Sequence, residues 1–515
     1  MNTVLKKTTL FVLFMMIGLS SLFAATAQPY KHVVLQQNKT LHEQIRTTNT
    51  IYEIRYSFNL GGAQVNLPSN CVLKFDGGNI TNGILNGRQT KIESTPAHIF
   101  DNVSIIGSWD VAESYVEWFG AIGDGQHDDG PAFRQALNST FRVIKLLGTK
   151  VYGIGSYADE KNKIGLITFH DNTSIIGSNK GAEEKRSPQI KALPKVQFNT
   201  FLDIRNRTTI LDGFQIYGNY KYSQSGLDGI NVKTGLKAGN GEKMLGYLQI
   251  QNVEVGYVSG DAYNLSVFCS EFRNCLARYC DRGFVFDGKK STVTSCLLTN
   301  CFVIASRHDA YYTYRTFYSN FIQCYADHCG YDHVGKSFDV KDISPVFHLV
   351  NSQGINMSGC GAEQVAKILL CQRANNVVIT GCNYAILNNA MSDITIKYFE
   401  FDDCNSITHV GSNLFDTKNS KGRIKAKKSD NIAFIRCLYR YDEHLSNITR
   451  ECIDSNSSFI LLAESQDEVC TTKTRPVGLS EKEIGYRVFD SDLNKPIWWS
   501  KKGWVDANGN LVKNK

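Results

Sequence analysis

Residues 275–301 read Cys275-Leu-Ala-Arg-Tyr-Cys280-Asp-Arg-Gly-Phe-Val-Phe-Asp287-Gly-Lys-Lys-Ser-Thr-Val-Thr-Ser-Cys296-Leu-Leu-Thr-Asn-Cys301. Two Cys-x4-Cys pairs flank a short alternating run that opens on a turn residue. A third pair follows at Cys324 and Cys329, and the first members continue as Cys360, Cys382 and Cys404, with gaps of 21, 28, 36, 22 and 22 residues. A period near 22 with strand-like composition predicts a solenoid of β-coils. The turn-plus-alternation phrase recurs at Asp228-Gly-Ile-Asn-Val, Asp261-Ala-Tyr-Asn-Leu and Asn383-Tyr-Ala-Ile-Leu. A second strand phrase recurs at Leu248-Gln-Ile-Gln-Asn-Val and Asn376-Val-Val-Ile-Thr-Gly. Asn and Gly punctuate the corners because both tolerate positive φ. One such coil cannot bury its own apolar face, so stacking must do it. Zinc knuckles favour Cys-x2-Cys, so no metal is expected, and the cysteines read as small apolar residues in a narrow core. The 28- and 36-residue gaps read as flank loops at 306–317 and 331–343.

The chain has 515 residues, 42% hydrophobic and 20% charged, enough to build a core. Lys plus Arg exceed Asp plus Glu by 56 to 49, a net +7 too mild to predict a nucleic-acid partner. Lys6 and Lys7 precede an apolar run from Leu10 to Phe23, and Ala25-Thr-Ala27 supplies a small-x-small cleavage pattern. This predicts a signal peptide over 1–27 and a periplasmic, surface or secreted protein. No later stretch is apolar enough to span a bilayer.

Residues 117–137, Glu117-Trp-Phe-Gly-Ala-Ile-Gly-Asp-Gly-Gln-His-Asp-Asp-Gly-Pro-Ala-Phe-Arg-Gln-Ala-Leu137, carry a helix start. Gly123-Asp-Gly makes a tight turn, Asp128 or Asp129 suits an N-cap, and Pro131 fits the first helical turn. Ala132, Phe133, Ala136 and Leu137 share an apolar face that would plug a solenoid end. The stretch resembles the opening of the pectate-lyase superfamily, F-G-A-x-G-D-G-x-x-D-D-T, with Gly130 replacing Thr. The looser repeat resemblance runs to about residue 410. It implies an all-β, right-handed parallel β-helix with an N-terminal capping helix. The superfamily includes rhamnogalacturonase- and epimerase-like enzymes and tailspikes, and a tailspike-like build implies a homotrimer. The expected organisation is an accessory β section over 28–115, the β-helix over 116–470 and a small C-terminal β module over 471–515. That last segment carries Trp498, Trp499 and Trp504 and resembles phage tail-fibre ends.

In polygalacturonase-type members three aspartates on adjacent coils act within N-T-D, D-D and G-H-G phrases. Leu227-Asp228-Gly resembles the first. Gly260-Asp261-Ala resembles the second with one aspartate missing, and Asp281-Arg282-Gly stands third without its histidine. The resemblance implies Asp228, Asp261 and Asp281 as catalytic carboxylates, at the same place in their coils. Coils rise about 4.8 Å, and carboxylates one or two coils apart suit retaining or inverting glycoside hydrolysis. Glu363, in Cys360-Gly-Ala-Glu, is a fourth candidate in the same groove. A lyase needs instead a base for the C5 proton and a cation for the uronate carboxylate. Arg282, His308, Arg315 and His333 supply these, and Tyr311 offers a ring for sugar stacking. Asp309, His328, Tyr312 and Tyr314 lie beside them. Arg423, Lys425 and Lys427 share one strand face, as a site for an anionic glycan or as protection of a sheet edge. No cofactor is expected, save Ca²⁺ if the chemistry is elimination. Two functional readings follow: a secreted enzyme cleaving an acidic polysaccharide, as lyase or hydrolase, or a non-catalytic glycan-binding surface protein.

Overall fold

The computed structural model describes residues 30–177, 187–194, 196–220, 232–239, 243–330, 343–386, 396–415, 424–435, 437–440, 459–462, 468–477, 479, 481 and 484–512. The expected signal peptide therefore lies outside the described residues. The chain divides into one unit ending at Val111 and another starting at Ala112.

The first unit is itself a small parallel solenoid. Thr50–Ile54 pairs with Val72–Phe75, and Ser57–Asn59 and Gln64–Asn66 pair with successive parts of Asn79–Glu93. Partner residues lie 19 to 22 apart in sequence. Corner asparagines bond along the axis, Asn86 Nδ2 donating to Asn66 Oδ1 at 2.9 Å.

The second unit opens on the helix Gly130–Asn138, whose buried face is Ala132, Phe133, Ala136 and Leu137. It packs against Ile164–Thr168 and caps the first coil. The two aspartates before it do other work than the expected side-chain cap. Asp129 is buried and accepts the amides of Ile122, Gly123 and Gly153 at 2.7, 3.2 and 3.1 Å. Asp128 Oδ1 accepts Gly130 N and Gly155 N at 2.9 and 2.7 Å. Two amides of the tight turn and one of the neighbouring strand outbid a single capping bond, so the pair latches the Gly123 turn to the strand Val151–Ile154.

Beyond the helix the chain winds a parallel β-helix. Several coils add a short second strand to sheet 2, such as Val267–Phe268, and each contributes a main strand to each of three sheets. In the coil from Asp261 these are Asp261–Leu265 (sheet 1), Glu271–Arg273 (sheet 2) and Leu276–Cys280 (sheet 3). All ladders are parallel, with Tyr263 beside Phe284, Glu271 beside Leu297, and Leu276 beside Phe302. Inside, Tyr263, Phe284, Tyr311 and Phe347 stack at 4.4, 5.5 and 5.0 Å, within 11° of parallel. Each such pair contributes about 0.5–1.5 kcal/mol beyond its buried area. The buried Tyr311 hydroxyl donates to the carbonyls of Cys301 and Tyr325 at 2.8 and 2.9 Å.

The cysteine ladder is real but differently membered. Asn274, Asn300, Gln323, Gly359 and Gly381 all take positive φ at the corner between sheets 2 and 3. Cys275, Cys301, Cys324, Cys360 and Cys382 follow them and point inward, steps of 26, 23, 36 and 22. Cys296 belongs instead to a corner inside sheet 2, between Val293–Thr294 and Leu297–Thr299, and Cys404 to the corner between sheets 1 and 2. A Cys-x4-Cys pair spans one strand, so its members mark opposite corners: Cys296 and Cys301 flank Leu297–Thr299. Gaps counted from Cys296 mixed two corners and created a loop where none exists. Residues 311–314 are a sheet 1 strand, not a flank insertion. The loop expected at 331–343 lies outside the described residues except for Ile343.

All fourteen described cysteines are free, and of these Cys269 is exposed. Burial pushes the Cys296 thiol up to about 12 and Cys404 to about 11, which makes both inert at neutral pH. Native protein should therefore react fast with a thiol reagent at Cys269, and denatured, unreduced protein at every described cysteine. A denatured titre falling short by pairs would overturn the free-thiol core.

No described helix is long and apolar enough to cross a membrane. Near the C-terminus, Arg487–Asp490, Lys495–Ser500 and Gly503–Val505 form an antiparallel sheet over Val488, Ile497 and Trp504. Arg475 and Asp490 form a buried ion pair there at 2.6 Å.

Candidate functional site

The register of sheet 1 decides which side chains meet. Asp261 lies beside Arg282, and Phe284 beside Tyr311. Two residues back along each strand, Asp261, Arg282 and Asp309 therefore fall in one column on successive coils. Asp281 N bonds to Gly260 O and His308 N to Asp281 O, so the neighbouring column is Gly260, Asp281, His308. The expectation that Asp261 and Asp281 hold equivalent places is corrected by one residue. Matching the two aspartates misses the register, whereas matching Ala262 with Gly283 gives it and puts Arg282 beside Asp261.

That single step separates the roles of the two carboxylates. Asp261 is buried and bound bidentately by Arg282, Nε to Oδ1 at 2.7 Å and Nη2 to Oδ2 at 3.0 Å. Asn264 Nδ2 donates to the same Oδ2 at 2.6 Å. Asp281 instead faces His308, whose Nδ1 lies 2.7 Å from Oδ1. The histidine side chain is 45% exposed and Asp281 26%. A carboxylate at Nδ1 holds the proton there and leaves Nε2 of the neutral ring as a base toward solvent.

The hydrogen bond that His308 donates to Asp281 raises the His308 pKa; burial opposes it, and the charges of Asp281 and Asp309 add to it. Burial works against the charge on Arg282, but Asp261, then Asp309 and Asp281, hold it more firmly protonated than an ordinary arginine. Arg282 and His308 thus share two carboxylate neighbours on adjacent coils. The guanidinium also lies 5.1 Å over the Tyr312 ring. Tyr312 in turn meets His348 edge-on at 5.2 Å. His348 bridges Asp309 and Gln372, at 3.2 Å from each ring nitrogen.

Other sequence candidates fall elsewhere. Glu363 is on sheet 3, beside Asp327, and not in the groove of Asp261. Tyr311 is fully buried in the aromatic stack, so the strand presents Tyr312 and Tyr314 outward in its place. Arg315 lies past the strand at the corner with sheet 2, its Nη1 on Lys289 O at 3.3 Å. His328 pairs with Asp327 at 2.6 Å beside sheet 3. Lys425 and Lys427 point outward on the last strand of sheet 1, where charge blunts an edge. Asp228, His333 and Arg423 lie outside the described residues. Among the described residues no cluster of His, Cys, Asp or Glu suits a metal.

His348, Gln372 and Asn264 escaped the sequence reading. His348 was findable: in Phe347-His-Leu-Val350 alternate residues face out, and a lone polar residue on an outward position of an apolar strand is conspicuous.

No family model matches the chain, and no curated protein matches it. Among solved structures it is similar to the gp42 tailspike of an Acinetobacter phage, with a TM-score of 0.51 at 12% identity over 75% of this chain and 74% of that one. ORF18 of Geobacillus virus E2 gives 0.48 at 11% identity over 78% and 86%. The A-module of the Azotobacter vinelandii mannuronan C-5 epimerase AlgE6 gives 0.45 at 14% over 68% and 99%. At such identities the tailspike likeness shows a shared parallel β-helix fold and nothing of the chemistry.

Proposed function

We propose that this chain is an exported, carbohydrate-active β-helix protein that cleaves an acidic polysaccharide by elimination at the Arg282–His308 centre. The observation that carries it is the pairing of an Asp-backed, half-exposed imidazole with a guanidinium one coil away. In this reading His308 Nε2 takes the C5 proton of a uronate. Arg282 receives the adjacent carboxylate, whose charge grows as the proton leaves. Asp261 occupies Nε and one Nη2 hydrogen of Arg282, and Nη1 bonds to no described residue. The C5–H electrons then form the C4–C5 double bond as the C4–O bond breaks, and the departing glycosyl oxygen leaves with that bond's electrons and takes a proton from water. The low-identity tailspike and epimerase folds support a glycan as the ligand class but do not select the reaction.

A second reading has one observation in its favour. Asp261, one of the motif-like aspartates, is spent on an internal ion pair, which suits a surface that binds a glycan without cutting it. Purified protein incubated with acidic polysaccharides separates the cases. Elimination yields an unsaturated, ultraviolet-absorbing product; hydrolysis yields reducing ends alone; a binder yields neither. Reducing ends without ultraviolet absorbance would sink elimination.

A further inference from the structure

A corner inside sheet 2, between Leu245–Gly246 and Gln249–Gln251 and their counterparts on other coils, carries a feature unrelated to that centre. Successive coils place Asn172, Thr208, Tyr247, Cys269, Ser295, Tyr318 and Gly354 at one position, each with positive φ. Small residues and Asn suit that conformation, whereas a bulky ring there is strained. Tyr247 and Tyr318 nonetheless occupy it, 55% and 64% exposed. Two other tyrosines with positive φ, Tyr257 and Tyr279, pack on one another at 4.9 Å; Tyr247 and Tyr318 project outward.

The surroundings are shaped to those rings. A Cβ on Gly246 would meet the Phe268 ring at 2.5 Å, so that ring lies across the glycine. It reaches Arg207, whose guanidinium stands 5.9 Å from its centroid, and Tyr247 meets its edge at 5.5 Å. A Cβ on Gly354 would stand 3.0 Å from the Tyr318 ring. Phe169, 49% exposed, lies apart from this column, under Arg205 at 5.7 Å. Neither the Arg207 nor the Arg315 guanidinium bonds to a carboxylate among the described residues, although the Arg207 amide donates to Asp171 Oδ1 at 2.8 Å. Strain retained at exposed positions points to function, and exposed rings beside unpaired cations mark a binding surface.

We propose that this corner is a second glycan-docking surface, on which an anionic polysaccharide lies along the solenoid axis. Its pyranose faces stack on Tyr247, Phe268 and Tyr318, and its acidic groups meet Arg207 and Arg315. Tyr247 and Tyr318 stand three coils apart, about 14 Å at the rise of parallel strands, so one chain spans several sugars between them. The proposal rests on the carbohydrate reading above and adds a site to it.

The test is binding of polygalacturonate and alginate, with dextran as neutral control, by calorimetry on the full chain. The paired variant Tyr247→Asn and Tyr318→Asn should weaken Kd for an acidic polymer at least tenfold. Because Asn tolerates the backbone, its Tm should hold or rise, and turnover of a short acidic oligosaccharide should be unchanged. The pair Arg207→Gln and Arg315→Gln should flatten the salt dependence of binding. Wild-type affinity in both paired variants overturns the surface, as does equal binding of dextran or no binding of either acidic polymer. The catalytic reading fails separately: a chain that binds through this corner and turns nothing over leaves the surface standing. Turnover of the oligosaccharide with full polymer affinity in the tyrosine variants leaves only the catalytic centre.

Discussion

Asp281→Asn should lower turnover of an acidic polysaccharide by up to about 10⁴-fold, the loss expected when the carboxylate that orients a catalytic imidazole is neutralised, while thermal unfolding barely moves. Asn keeps the size and corner preference of Asp281 but cannot hold the His308 tautomer by charge. His308→Gln should match it. The same contact sets the pH dependence. Asp281 raises the His308 pKa, and a base works only when unprotonated, so activity should be lost as pH falls through that raised value. Residual activity of Asp281→Asn should keep its acid limb at lower pH. Asp261→Asn should behave differently. It breaks a pair on a carboxylate that is 7% exposed and so should cost about 1–3 kcal/mol of stability as well as turnover. Full activity in both Asp281→Asn and His308→Gln would place the chemistry elsewhere.

His409→Phe should stabilise the protein and remove part of its acid sensitivity. His409 is 2% exposed, and neither ring nitrogen has a hydrogen-bond partner among the described residues. It packs against Tyr384, Phe399 and Phe434 at 6.0, 5.4 and 5.1 Å. Burial lowers its pKa to about 3. The unfolded chain, near 6.5, takes up a proton that the folded chain refuses. Stability from this group is therefore intact above about 6.5 and falls as pH drops toward 3, by a few kcal/mol in all. Phe keeps a flat ring, a larger one, among these aromatic neighbours and leaves no polar atom unsatisfied. It should add about 1–3 kcal/mol at neutral pH and flatten the denaturant midpoint between pH 6 and 4. An unchanged pH slope would show that His409 finds a partner.

The solenoid was legible because its causes are local. Apolar alternation, asparagine and glycine corners and a recurring small residue repeat along the chain, and parallel stacking is the one way such coils bury their faces. The helix start at Asp128-Asp-Gly-Pro131 was legible for the same reason, although its aspartates serve the turn at Gly123. Membership of a column was not legible. Cys296 and Cys301 look alike in sequence, yet one strand between them puts them at different corners. Asp261 and Asp281 sit in matching phrases, yet a one-residue offset gives the first an arginine and the second a histidine. Tyr311 and Tyr312 are neighbours with opposite fates, one locked in an aromatic stack and one facing Arg282. Local composition sets the repeat, its strand content and the supply of acidic, basic and aromatic residues along it. Only the tertiary structure decided which of them touch, because contact between coils depends on hydrogen-bond register, and register is a relation between segments 20 to 40 residues apart that no single segment encodes.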